Sequence, residues 1–127
     1  MKLYELACAF CFHEDELLEV VPDESRRTVT VSLLHGEEPD TQPLFLRFRG
    51  VSDFYSVAYD NTAPVGHRHA DGFQHEDGAY TFILSSTWEN GYLRLFCETT
   101  EHGHSFYQDI FISAAEAAVE AADSAVK

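Results

Sequence analysis

Period-two alternation of apolar and polar residues runs through most of the chain. Between Arg27 and Leu33, the residues Val29, Val31 and Leu33 share one face and Thr28, Thr30 and Ser32 the other, which predicts a half-buried strand. Leu44, Leu46 and Phe48 repeat the pattern, with Arg47 and Arg49 facing away. Further strands are expected around Leu3 to Phe12, Phe54 to Tyr59, Ala79 to Ser86, Tyr92 to Thr99 and Phe106 to Ile112. Asn90-Gly91 is the dipeptide of a type I′ turn, because both residues tolerate positive φ, so the flanking strands should pair antiparallel. His102-Gly103 suggests a second such hairpin, giving a three-stranded meander.

The end of the chain reads differently. After Ser113, residues Ala115, Val119, Ala122 and Val126 fall on one helical face, with Glu116, Glu120 and Asp123 on another. Ser113 with Glu116 has the spacing of a capping box. The expected fold is therefore mainly β: an antiparallel β-sandwich or open barrel of about seven strands with a short C-terminal helix. A single domain should span 1–127, with the β domain over 1–112 and a helix or frayed tail over 113–127.

Composition adds the strongest functional constraint. Twenty-two acidic residues against eight basic ones give a net charge of -14, with the acids gathered between apolar stretches. Such a potential repels nucleic acid, whose binding depends on Lys and Arg neutralising phosphates, and steers basic partners inward. Arg26, Arg27, Arg47 and Arg49 read as a solvated ladder among acids rather than a nucleic-acid patch. With only two lysines, the acidity is also what a salt-rich cytoplasm would select. Ten Phe, six Tyr and one Trp supply enough apolar area for a folded core.

No apolar run approaches the roughly 20 residues that cross a bilayer, and Glu5 interrupts the basic leader of a secretion signal. Cytoplasmic residence is the expectation, and three cysteines suit a reducing compartment. Cys8 and Cys11 have the spacing of a redox or zinc pair but lie in an apolar run, so they are expected to be buried structural thiols. Cys97 alternates with Leu93 and Leu95 and belongs on the apolar face. No nucleophile elbow, phosphate-cradling loop, dinucleotide fingerprint or zincin motif occurs, and the protein is not expected to be an enzyme or to need a cofactor.

His67-Arg68-His69 and His102-Gly103-His104 are two H-x-H pairs, each of which would put two imidazoles on one face of a strand. They support the alternative of a cupin-like or other metal-binding β domain using His67, His69, His102 and His104. A cupin also requires a Glu where Phe73 and Gln74 stand, and Gly66, Gly72 and Gly103 favour loops. No metal site is therefore assigned.

Phe12-His13-Glu14-Asp15-Glu16-Leu17-Leu18, Arg27 to Val31 and Leu44 to Phe54, with its Phe48-Arg49-Gly50-Val51 segment, resemble small acidic β-rich bacterial immunity proteins grouped as immunity protein 50 and related families. The resemblance covers the first half of the chain. It implies core roles for Phe48 and Val51, a turn at Gly50, and an inhibitor that binds a cognate toxin. Together with the acidic charge, it points to a basic protein partner such as a toxin, for instance a nuclease. Interfaces of this kind combine a buried aromatic anchor with a charged rim. Candidate partner-binding residues are Phe73, Asp71, Glu76 and Asp77 in one loop and Glu37, Glu38 and Asp40 in another.

Overall fold

The computed structural model describes residues 1–9, 12–37, 39–59, 72–74 and 78–121. In chain order the elements are α1 (Leu3–Ala9), β1 (Glu16–Asp23), β2 (Thr28–His35), β3 (Gln42–Tyr59), β4 (Phe73–Gln74), β5 (Tyr80–Glu89), β6 (Tyr92–Glu101) and β7 (His104–Ala121). The protein is mainly β, its six long strands and the short β4 forming one antiparallel sheet beside one short helix.

The expected meander is present. Asn90 and Gly91 have φ of 52° and 83°, and His102 and Gly103 have 51° and 79°, the left-handed pairs a two-residue I′ turn needs. They join β5 to β6 and β6 to β7 in antiparallel pairing, continuous between β6 and β7 and shifted by one residue in β5 between Ile83 and Ser85. β7 then pairs with β3, β3 with β2 and β2 with β1. β1 returns to β5 through Glu16 opposite Phe82 and Leu17 opposite Thr81, so the pairings close on themselves. The strands belong to a single sheet, not the two facing sheets of a sandwich.

The two segments expected as separate strands around Leu44 and Phe54 are one strand of 18 residues. It turns at Gly50, whose φ is +65° and where a Cβ would stand 2.8 Å from the Ala115 Cβ. A register shift between Val51 and Asp53 completes the bend. The first half of β3 lies between β2 and β7, and the second half runs along β7.

Three further expectations require correction. The C-terminal segment is not a helix: β7 continues as a strand through Ala121, and residues 122–127 lie outside the described residues. Ala has high helix propensity, but a short Ala-rich helix is marginal alone. As a strand the segment pairs fully with β3, placing Ala117 opposite Phe48 and Val119 opposite Leu46. Both Phe48 and Ala117 are buried, a large side chain set beside a small one.

The N-terminal segment, in turn, is a helix and not a strand. Leu3 and Leu6, three apart, are buried on one face with Ala7 packed beside them. Glu5 Oε1 accepts the Lys2 backbone N–H at 2.7 Å, one arm of a capping box. The Met1 ammonium donates to the Ala117 carbonyl, and the Ala117 N–H donates back to the Met1 oxygen, both at 2.7 Å. α1 is thereby tied to β7. It also packs on β5 and β6, with Tyr4 edge-on to Trp88.

Cys8, third, is exposed on this helix rather than buried, while Cys11 lies outside the described residues. Cys97 is buried as expected, and burial pushes its thiol far above the usual range, with the Asp109 charge adding to the shift.

The core is an apolar cluster including Leu17, Val31, Leu46, Phe48, Ile83, Leu95 and Ile110. Full burial of such side chains contributes about 1.5–3 kcal/mol each. Part of the buried interior is polar. Thr81 and Thr99 share a 2.7 Å hydrogen bond, and the Gln108 amide donates to Thr99 at 2.9 Å. This network places Thr81 on the buried side of β5, which turns Tyr80 and Phe82 outward. Both are exposed.

Candidate functional site

Closure of the sheet aligns one transverse row of outward side chains across five strands. Tyr107 of β7 is opposite Glu98 of β6, Glu98 opposite Phe82 of β5, Phe82 opposite Glu16 of β1, and Glu16 opposite Leu34 of β2. Leu17 and Leu33, their neighbours in sequence, point inward and are buried, which fixes Glu16 and Leu34 on the outer face.

The middle of this row lines an open groove of about 440 Å³. Four carboxylates border it: Glu14, Glu16, Glu37 and Glu98. Leu34, Phe82 and Leu84 supply its apolar surface. Among the described residues none of these four glutamates is paired with a basic side chain. Glu14 is held by its backbone, since its N–H donates to the Ile83 carbonyl at 2.6 Å and its own φ is +67°. The next carboxylate, Asp15, turns inward and is buried. It accepts from His35 Nδ1 at 2.6 Å and from the Gly36 N–H at 3.1 Å, anchoring the loop that carries Glu37.

A second charged cluster lies further along the outer face of β6 and β7. Asp109 is fully buried and accepts two bonds from Arg94, Nε to Oδ1 at 2.7 Å and Nη2 to Oδ2 at 2.9 Å. Tyr59 donates to Asp109 Oδ2 at 2.5 Å. That bond, with burial, pushes the Tyr59 phenol up to about 12, while Asp109 chiefly raises the Arg94 guanidinium. The guanidinium lies 5.8 Å from the ring centres of both Phe96 and Phe111. Phe96 stacks on Tyr107 at 5.4 Å, and Phe111 on Tyr55 at 4.7 Å. Every acceptor and cation here is satisfied from within.

Of the partner-binding residues expected from sequence, Glu37 borders the groove, and Asp40 is an exposed residue of the same loop whose N–H donates to the Glu37 carbonyl at 2.7 Å. The backbone of Phe73 is in β4, paired with Val20. Its side chain, together with Glu38, Asp71, Glu76 and Asp77, lies outside the described residues. His67 and His69 lie outside them as well. His102 and His104 are exposed at the β6–β7 turn, and among the described residues no group of three or more His, Cys, Asp or Glu is placed to hold a metal. Arg26 meets Asp23 at 3.9 Å and Arg47 meets Glu120 at 2.8 Å, so these two arginines face acids, as the ladder reading expected.

Glu14, Glu16, Phe82 and Glu98 were not singled out by sequence reasoning. Glu98 had a usable signal, since it alternates with Cys97 and Thr99 in a recognised strand. Glu16 had none, because β1 carries a register shift between Leu17 and Glu19 that spaces the buried Leu17 and Val20 three apart.

No described helix is long and apolar enough to cross a membrane. Comparison with protein-family models, curated proteins and solved structures finds no match.

Proposed function

We propose that this protein is a non-enzymatic acidic binding protein that docks a basic partner protein along the Glu14–Glu16–Glu37–Glu98 groove, in the manner of an immunity-type inhibitor neutralising a toxin. The observation that carries the reading is that four unneutralised carboxylates surround an apolar groove on a chain of net charge -14. Self-repulsion among such groups costs stability. A cationic partner would relieve it while Leu34, Phe82 and Leu84 cover apolar surface. The inhibitor role is what the sequence resemblance of the first half of the chain to small immunity proteins implies, and a cytoplasmic setting fits the unpaired Cys8 and Cys97.

The test is retention of a basic protein on the immobilised domain at low ionic strength, compared with a Glu14→Gln/Glu37→Gln variant. One stoichiometric basic protein, lost from the variant and silenced when co-produced with the wild type, is the expected result. Retention that ignores the variant, or no retention, overturns the reading.

A further inference from the structure

Resting on that reading, we infer that Phe82, flanked by Glu98 and Glu16 in one transverse row, is the seat for an arginine side chain of the partner. Adjacent strands are spaced by about 4.8 Å, so each carboxylate arises one strand from the ring, on opposite sides of it. All three residues border the same groove. Phe82 is 37% exposed, and Tyr80 meets it edge-on at 5.4 Å, giving the ring a fixed neighbour.

The protein treats its own guanidinium in this way on the neighbouring part of the face. Arg94 lies against Phe96 and Phe111 with a carboxylate gripping its edge. Phe82 offers the same two elements, ring and carboxylate, with no cation among the described residues to occupy them. A planar guanidinium can stack on a ring while its edges donate to Glu98 and Glu16. A lysine ammonium, a compact and strongly hydrated point charge, gains less from the ring. The seat therefore selects arginine over lysine, whereas the rest of the groove selects only positive charge.

Octa-arginine and octa-lysine, titrated against the full chain at low ionic strength, test this directly. The wild type should bind octa-arginine about two- to fivefold more tightly than octa-lysine. Phe82→Leu, which keeps an apolar side chain at this exposed position, should erase that ratio and leave the melting temperature unchanged, while Glu98→Gln should weaken both peptides. Equal affinities in the wild type, or a preference that survives Phe82→Leu, overturn the arginine seat while leaving the acidic docking surface standing. Failure of both peptides to bind overturns the docking surface and the seat together.

Discussion

Asp109, Glu16 and Glu98 sit on the same outward surface of one sheet, with Glu14 and Glu37 in the loops beside it, yet the fold treats Asp109 and the groove glutamates in opposite ways. Asp109 is withdrawn from water and given Arg94 and Tyr59 as partners. Glu14, Glu16, Glu37 and Glu98 border a groove and make no ion pair with a basic side chain among the described residues. A buried carboxylate must be paired or it costs several kcal/mol, whereas a solvated one tolerates isolation. The difference separates charge that serves the fold from charge left over for something outside it.

The sharpest way to break this contrast is Asp109→Ala. It leaves Arg94 with Glu89 at 3.6 Å as its remaining carboxylate and Tyr59 without its acceptor. Because Arg94 is one-third exposed, the loss is expected near the lower part of the range for broken buried pairs, about 2–4 kcal/mol by urea unfolding. The same substitution should leave cationic-peptide binding intact once the protein is folded.

Tyr59→Phe is the milder probe of the same cluster, with an expected loss of about 1 kcal/mol. It also has a pH signature. The Tyr59 phenol titrates near 12 in the folded protein against 10.0 ordinarily, so its stabilising effect is complete below pH 10 and fades as pH rises towards 12. Unfolding free energy followed from pH 9 to 12 should fall less steeply in the Phe variant. Identical slopes would remove Tyr59 from the account.

Glu14→Gln and Glu37→Gln probe the other side of the contrast. Each should change stability by less than about 0.5 kcal/mol, towards greater stability where like charges had repelled one another. Each should also weaken binding of octa-arginine at low ionic strength. Potassium chloride separates the regions further. Screening at about 8–10 Å should weaken octa-arginine binding at the groove as salt rises to the physiological range and leave the Arg94–Asp109 pair, within hydrogen-bond distance, little changed. A marked loss of stability in either glutamine variant would show that the groove carboxylates belong to the fold.

The hairpins at Asn90-Gly91 and His102-Gly103 were legible because turn chemistry is local: positive φ is needed at named residues and supplied there. The strands around Val29 to Leu33 and Leu44 to Phe48 were legible because one face is uniformly buried. β5 shows why the candidate site was harder to read. By polarity Tyr80, Phe82 and Leu84 would face the core, but pairing with β6 and the Thr81–Thr99–Gln108 network turn Tyr80 and Phe82 outward. β1 was missed because its register shift breaks the period on which strand recognition depends.

Both chain ends show local preference and tertiary context in conflict. The Leu3 to Ala9 segment reads as apolar and strand-like, yet burying Leu3 and Leu6 against the sheet favours a helix. The Ala114 to Ala121 segment reads as helical, yet β3 offers backbone partners along its length and Phe48 a place for the small Ala117. By itself the sequence determined the mainly β class, the meander, the burial of Cys97 and the acidity, since each follows from residue chemistry or near-neighbour spacing. Only the tertiary structure decided that β1 and β5 meet, and with that meeting came the row placing Glu98, Phe82 and Glu16 side by side. Glu16 is distant along the chain from residues 82 and 98, and strand register, set by the β5 shift within the hairpin and by the long-range β1–β5 pairing, is what brings the three together.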